Sequence, residues 1–245
     1  MLFDHSVLCW LLFMNMGTPA FDYKTDNVYA AKSGRINVCT VGEVSDDDIV
    51  KLHNFYGNGV SFRWAVLADD QKIQALLYKA GMRKSADYPV MMLSLDRVSE
   101  VEYKPLIRLE EVPLNNAAFV KTFNAAYQIT AEYQNDIVDF GKDVLARTGS
   151  DPIHCYVGYY DNNPVSVCMA VDHDDSITLH AIATDLFYRN KGCGFAITHK
   201  ALCDAKKRGI KQAWLTATAM AIPLYEKLGF TKEAVVSFYD KKKEQ

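Results

Sequence analysis

Short runs of apolar residues alternate with polar clusters along the chain, and their periods predict strands and helices in alternation. In the first hundred residues, Arg35–Val41 and Phe62–Leu67 read as strands. Ser45-Asp46-Asp47-Asp48 is a capping cluster that opens a helix through Phe55. A second helix is expected from Gln71 to Tyr78, stopped at Gly81, and a strand follows at Val90–Leu95. Residues 99–103 read as a hinge without the composition of a flexible linker. Beyond it, Leu106–Glu111 is a strand, and 115–147 reads as largely helical with Phe119, Phe123, Tyr127, Tyr133 and Phe140. His154–Tyr160 and Pro164–Val171 form strands around an Asp161-Asn162-Asn163 turn, and Asp172-His173-Asp174-Asp175 is a second turn. A strand at Ile177–Thr184, a helix from Gly194 to Lys207, a strand at Gln212–Thr218, a short helix at Pro223–Leu228 and a strand at Ala234–Tyr239 complete the pattern. The class is therefore α/β in a chain of two halves.

Composition narrows the picture little. At 245 residues with 49% hydrophobic side chains the chain can bury a sizeable core. A formal net charge of −3 carries no basic footprint, which argues against nucleic acid as a partner. The six cysteines form no C-x-x-C pair and suggest reduced thiols in a cytoplasmic protein rather than a zinc site. The apolar run Val7–Met14 is preceded by Asp4 and His5 where a signal peptide carries Lys or Arg, so it reads as a buried first helix. No run reaches the length of a membrane span. Lys241-Lys242-Lys243 reads as a solvated tail.

The chemistry concentrates late in the chain. Arg189-Asn190-Lys191-Gly192-Cys193-Gly194 has the form R-x-x-G-x-G and joins a strand to a helix. Glycines at 192 and 194 let the backbone turn sharply and approach a ligand closely. The first amides of the helix that follows lack intrahelical acceptors and sit at its positive end, which suits a pyrophosphate. Arg189 and Lys191 add positive charge. The turn lacks the G-K-[ST] of a Walker loop and the third glycine of the dinucleotide fingerprint. A plain strand-to-helix turn is the competing reading. About thirty residues on, Leu224-Tyr225-Glu226-Lys227-Leu228-Gly229-Phe230 places a tyrosine in the helix after the next strand, where the competing reading is a packing ring.

In this order and spacing the two segments resemble the cofactor signature of the Gcn5-related N-acetyltransferase (GNAT) superfamily, over roughly residues 104–240. The resemblance implies a mixed, mostly antiparallel central sheet flanked by helices. It also implies acetyl-CoA as the acyl donor and a primary amine as the acceptor, joined in a ternary complex. The amides of Asn190, Lys191, Gly192, Cys193 and Gly194, beside Arg189, would hold the coenzyme A pyrophosphate. Backbone groups of Ile182, Ala183 and Thr184 would pair with the pantetheine arm, and Tyr225 would protonate the departing thiolate. Thr218 stands where the family often has an asparagine seven residues before that tyrosine, so no contact is carried over there. Residues 1–100 resemble the truncated, cofactor-free half of two-domain members, through Phe62-Arg63-Trp64-Ala65-Val66, Ala80-Gly81-Met82 and Pro89-Val90-Met91-Met92. The expected domains are thus 1–100 and a catalytic 104–245.

No general base stands out. His180, in a row with Thr178 and Ile182, is a candidate set against a structural histidine; Asp172, His173 and Asp174 read as a solvated turn. Cys193, at a helix N-terminus, reads as filler rather than nucleophile. Tyr127, Tyr133 and Phe140 either shape the acceptor cleft or pack their helix. A non-catalytic acyl-CoA-binding sensor or interaction module is the alternative function, and a donor with a longer acyl chain a third. The acceptor and the oligomeric state, a homodimer included, stay open.

Overall fold

The computed structural model describes residues 23–25, 28–31, 37–40, 44–56, 62–67, 71–131, 134–135, 137–139, 142 and 152–241. The apolar run Val7–Met14, Tyr133, Phe140 and the lysines at 242 and 243 lie outside them. In chain order the strands are β1 (Tyr23–Lys24), β2 (Val28–Ala31), β3 (Asn37–Thr40), β4 (Phe62–Leu67), β5 (Arg83–Ser94), β6 (Ile107–Val112), β7 (Ile153–Tyr160), β8 (Asn163–His173), β9 (Ser176–Thr184), β10 (Gln212–Thr216) and β11 (Thr231–Lys241). The helices are α1 (Asp46–Tyr56), α2 (Gln71–Lys79), α3 (Ala117–Ala126), α4 (Cys193–Lys207) and α5 (Ile222–Lys227). The architecture is mixed α/β with mostly antiparallel strand pairs.

The chain divides into two compact units, one of residues 1–90, 216–219 and 232–245, the other of 91–215 and 220–231. In the first unit, β2 pairs antiparallel with β1 and β3, β3 parallel with β4, and β4 antiparallel with β11. Ser45 and Asp48 form a reciprocal cap on α1: the Asp48 amide donates to Ser45 Oγ at 3.2 Å, and the Ser45 amide to Asp48 Oδ2 at 2.9 Å. Three aspartates in the first turn complement the helix dipole. The helix turns Ile49, Leu52 and Tyr56 inward onto a core that also holds Trp64, Leu77, Met82 and Tyr239. Trp64 and Tyr239 are directly paired across β4 and β11 and fully buried. Truncating a ring at such a site costs about 3–5 kcal/mol.

Strand β5 begins seven residues before the expected Val90. Its first residues, Arg83, Lys84 and Ser85, are exposed, so no apolar periodicity announces them.

The second unit orders its strands β6-β7-β8-β9-β10; the first three pairings are antiparallel and β9–β10 is parallel. Asp161 and Asn162 both take positive φ, at 50° and 63°, which is the geometry of a tight two-residue hairpin loop. Helix α4 packs on β6–β9, and α3 on β7–β9. The α4 contact face is built from Cys193, Ala196, Ile197, Ala201, Leu202 and Ala205, at spacings of three and four residues. Its other contacts tie it to the segment before β6. Lys206 Nζ donates to the carbonyls of Asp96 and Val98 at 3.1 and 2.7 Å. His199 Nε2 donates to the Ser99 carbonyl at 2.8 Å, which leaves Nδ1 to accept from the Tyr103 hydroxyl at 2.9 Å. These bonds fix the axis of α4, and so the position of its N-terminus.

Within the expected helical stretch 115–147, α3 covers Ala117–Ala126 and helical backbone recurs at 137–139, while 132–133, 136, 140–141 and 143–147 lie outside the described residues. Asn116 caps its start, its side chain accepting from the Ala118 and Phe119 amides. At the other end Gln128 adopts φ +53°, which stops the helix just after Tyr127.

Candidate active site

The site grows out of a defect in β9. Thr184 pairs with Ser166 and Ala183 with Val167, but the next pair is His180 with Met169. β9 therefore spends three residues where β8 spends two, a bulge, and Ala181 takes φ +51° within it. The row of Thr178 and His180 breaks here, so Ile182 does not continue it as simple alternation predicts. Parallel pairing with β10 covers Gln212–Trp214 opposite Ser176–Thr178 and ends there.

Past the bulge the orientation of the backbone can be read from its bonds. The Asp185 amide donates to the Val165 carbonyl at 2.8 Å, so Asp185 and, two residues back, Ala183 face β8. Ile182 and Thr184 then face the opposite edge. Two side-chain bonds mark that edge: Arg189 Nε donates to the Thr184 carbonyl at 3.3 Å, and Tyr127 Oη to the Ile182 carbonyl at 3.5 Å.

The glycine turn follows. Asp185 caps a short 3-10 turn at Leu186–Tyr188, its carboxylate accepting from the Phe187 amide at 2.9 Å. Asn190 and Gly192 have φ of +61° and +94°, and Gly192 is the N-cap of α4. Only glycine takes the second value without strain. The cap has no side chain, so the first amides of α4 stay open toward the turn. Lys191 Nζ lies over the rings of Tyr188 and Tyr160 at 4.6 and 5.1 Å, which places its charge at the turn. A Cβ built on Gly194 would stand 3.4 Å from Thr184 Oγ1 and 3.5 Å from Leu224 Cδ2. The end of β9, the glycine turn and α5 therefore converge on one spot.

Tyr225 sits on α5, buried, with its ring edge-on to Phe230 at 5.9 Å. Burial is the main force raising its phenol above the ordinary range, with Cys168 and Tyr127 adding to it. The group stays protonated at neutral pH. Tyr127 exposes one side of its ring, yet burial of its hydroxyl raises the phenol to about 12. Burial likewise raises the Cys168 thiol.

His180 is fully enclosed, with Nε2 2.8 Å from Thr178 Oγ1, and burial lowers its pKa to about 3. It is a neutral, very weak base, in line with the structural reading. Cys193 is buried and its thiol raised by burial, as filler requires and a nucleophile does not. Asp172 lies in β8 rather than in a solvated turn. It accepts from Arg208 Nε and Nη2 at 2.9 and 2.8 Å and stands 3.3 Å from His154 Nε2. His154 Nδ1 is in turn 2.8 Å from Glu111. This network braces β6, β7 and β8 against the end of α4. The bulge at Ala181 and the bond from Tyr127 to Ile182 escaped the sequence reading. An alanine carries no mark of positive φ, and a bond spanning 55 positions leaves none in the local pattern.

Residues 116–230 match the model of the acetyltransferase (GNAT) family. This stretch is a GNAT acetyltransferase domain. Its sequence has no match among curated proteins. Among solved structures the chain is similar to a GCN5-related N-acetyltransferase from Kribbella flavida, at 13% identity and a TM-score of 0.70, over 97% of this chain and 95% of that one. It is also similar to a GCN5-related N-acetyltransferase from Sphaerobacter thermophilus, at 14% identity and a TM-score of 0.69, over 89% and 76%. A tandem GNAT protein from the clavulanic acid biosynthesis pathway aligns at 10% identity and a TM-score of 0.58, over 99% and 96%. At these identities the likeness establishes the GNAT fold. Among the described residues no helix is long and apolar enough to cross a membrane.

Proposed function

We propose that the protein is an acetyl-CoA-dependent N-acetyltransferase acting on a primary amine by direct attack in a ternary complex. The observation that carries this reading is the convergence of Thr184, Gly194 and Leu224, which brings a strand edge, a helix N-terminus and the Tyr225 helix to one spot. The parts suit coenzyme A. The turn with its glycine N-cap offers open amides and the positive end of α4 to a pyrophosphate, with Arg189 and Lys191 beside it. The edge at Ile182 and Thr184 offers backbone groups to an extended amide chain, with Ala183 between them turned toward β8. The residues we assign to the cofactor are accordingly Ile182, Ala183, Thr184, Arg189, Asn190, Lys191, Gly192, Cys193 and Gly194.

Bound acetyl-CoA supplies a thioester carbonyl open to amine attack, with a thiolate as leaving group. Tyr225, a phenol protonated at neutral pH, is the residue we assign to donate the proton to that sulfur. Holding donor and acceptor together supplies much of the rate through positioning. His180 is too weak a base to take the amine's proton. An acceptor that arrives neutral, or a water relay, removes the need for a single base. The phenol favours catalysis over the sensor reading, because binding alone has no use for an acid beside the sulfur.

For the first hundred residues we favour a truncated GNAT-like domain without a cofactor motif, preceding a catalytic domain at 104–245. Alignment over nearly the full chain with the Kribbella flavida structure and the tandem protein supports it. The test of function is a pair of measurements on Tyr225→Phe. Acetyl-CoA affinity, read by calorimetry, should stay nearly unchanged while thiol release with an amine panel falls at least about tenfold. Equal loss of both would remove the acid role.

A further inference from the structure

The edge of β9 that faces away from β8 presents two carbonyls, those of Ile182 and Thr184, and each accepts a bond from a side chain of this same chain. The donors come from opposite directions in sequence. Tyr127 reaches in from the residue after α3, and Arg189 folds back from the glycine turn. Unpaired strand edges are usually blunted, since bare carbonyls and amides invite another strand. β10 cannot do this here, because its pairing with β9 ends at Thr178 and Trp214.

We propose that Tyr127 and Arg189 are internal caps on the β9 edge, and that a ligand pairing with this edge must displace them. The ligand class is an extended chain bearing secondary amides, as in the pantetheine arm, so the inference rests on the acyl-CoA reading above. An amide N–H of such a chain and the Tyr127 O–H compete for the same acceptor, the Ile182 carbonyl. The Tyr127 bond is long at 3.5 Å and its ring is partly exposed, which makes it the weaker cap and the easier one to release. Arg189 has a second partner, lying 3.9 Å from Met220 Sδ through Nη1, and it stands beside the turn that suits phosphates. Releasing it from Thr184 frees its charge for that anion. Cofactor entry therefore exchanges two internal bonds for two ligand bonds, and the Tyr127 hydroxyl becomes available next to Tyr225 and Cys168 only after the arm has docked.

The test compares the wild-type protein with Tyr127→Phe, which keeps the ring and removes only the donor. Calorimetry is run with acetyl-CoA, which has the amide arm, and with 3′,5′-ADP, which does not. Removing the competitor should tighten acetyl-CoA binding about two- to fivefold, the range of one weak neutral hydrogen bond, and leave 3′,5′-ADP unchanged. Unchanged or weaker acetyl-CoA binding by the variant overturns the cap. So does an equal gain for both ligands, which would trace to the fold rather than to the arm. If the wild-type protein binds neither ligand, the acyl-CoA reading itself fails, and the cap falls with it.

Discussion

The two sides of the candidate site are built by different means. The side proposed for the cofactor, from the β9 bulge through the glycine turn to α5, is made of backbone: a positive φ at Ala181, Asn190 and Gly192, a bare helix N-cap, and a strand edge. The neighbouring side, at the end of α3, is made of side chains: the Phe119, Phe123 and Tyr127 rings in a row, the last two 4.9 Å apart. Backbone geometry serves a ligand that is the same throughout a family, because amides recognise phosphate and pantetheine without regard to the rest of the sequence. Side chains serve a partner that varies. The contrast teaches that a site for a shared ligand can be written in backbone, while a site for a variable partner is written in side chains.

The comparison can be broken at its backbone side. Gly192→Asp forces a branched, anionic residue into φ +94° at the helix N-cap. It should abolish acetyl-CoA binding in calorimetry, while circular dichroism reports an intact fold. Retained affinity would make the turn structural. The next largest effect belongs to Tyr225→Phe, with turnover at least about tenfold lower and affinity held. A variant equal to wild type in rate would return Tyr225 to the role of a packing ring.

A smaller effect separates the phenol proposed as the acid from the buried imidazole of His180. His180 has its pKa lowered from 6.5 to about 3 by burial. The unfolded chain therefore binds more protons than the folded one between these values, and stability falls as pH drops from 6.5 toward 3. This one group contributes a slope of at most about 1.4 kcal/mol per pH unit. His180→Gln should flatten that acid limb in urea titrations while changing turnover by less than about threefold, since its Thr178 partner can still be satisfied. A large loss of turnover with an altered pH–rate profile would make His180 the base. The smallest effect is the gain in acetyl-CoA affinity expected of Tyr127→Phe.

Much of this was legible in the sequence, for reasons that differ by residue. Gly192 announces a turn because only glycine takes φ +94° without strain, and Leu224–Phe230 announces a capped helix with Pro223 near its start and Gly229 at its end. Strands such as β4 and β9 showed in apolar, β-branched runs. Three features stayed hidden. The start of β5 is exposed and polar, the bulge falls on an alanine, and α3 stops at Gln128, a residue without any stop signal. Asp172 looked like a turn residue until Arg208 and His154 closed on it from other elements. The partners of Asp172 are distant in sequence, and local pattern does not record them.

The account stands most directly on whether the glycine turn and the β9 edge hold coenzyme A. Isothermal titration of the purified protein with acetyl-CoA, repeated with Gly192→Asp, measures this. Micromolar binding by the wild type and none by the variant is the expected result. No binding by the wild type, or equal binding by both, would contradict it.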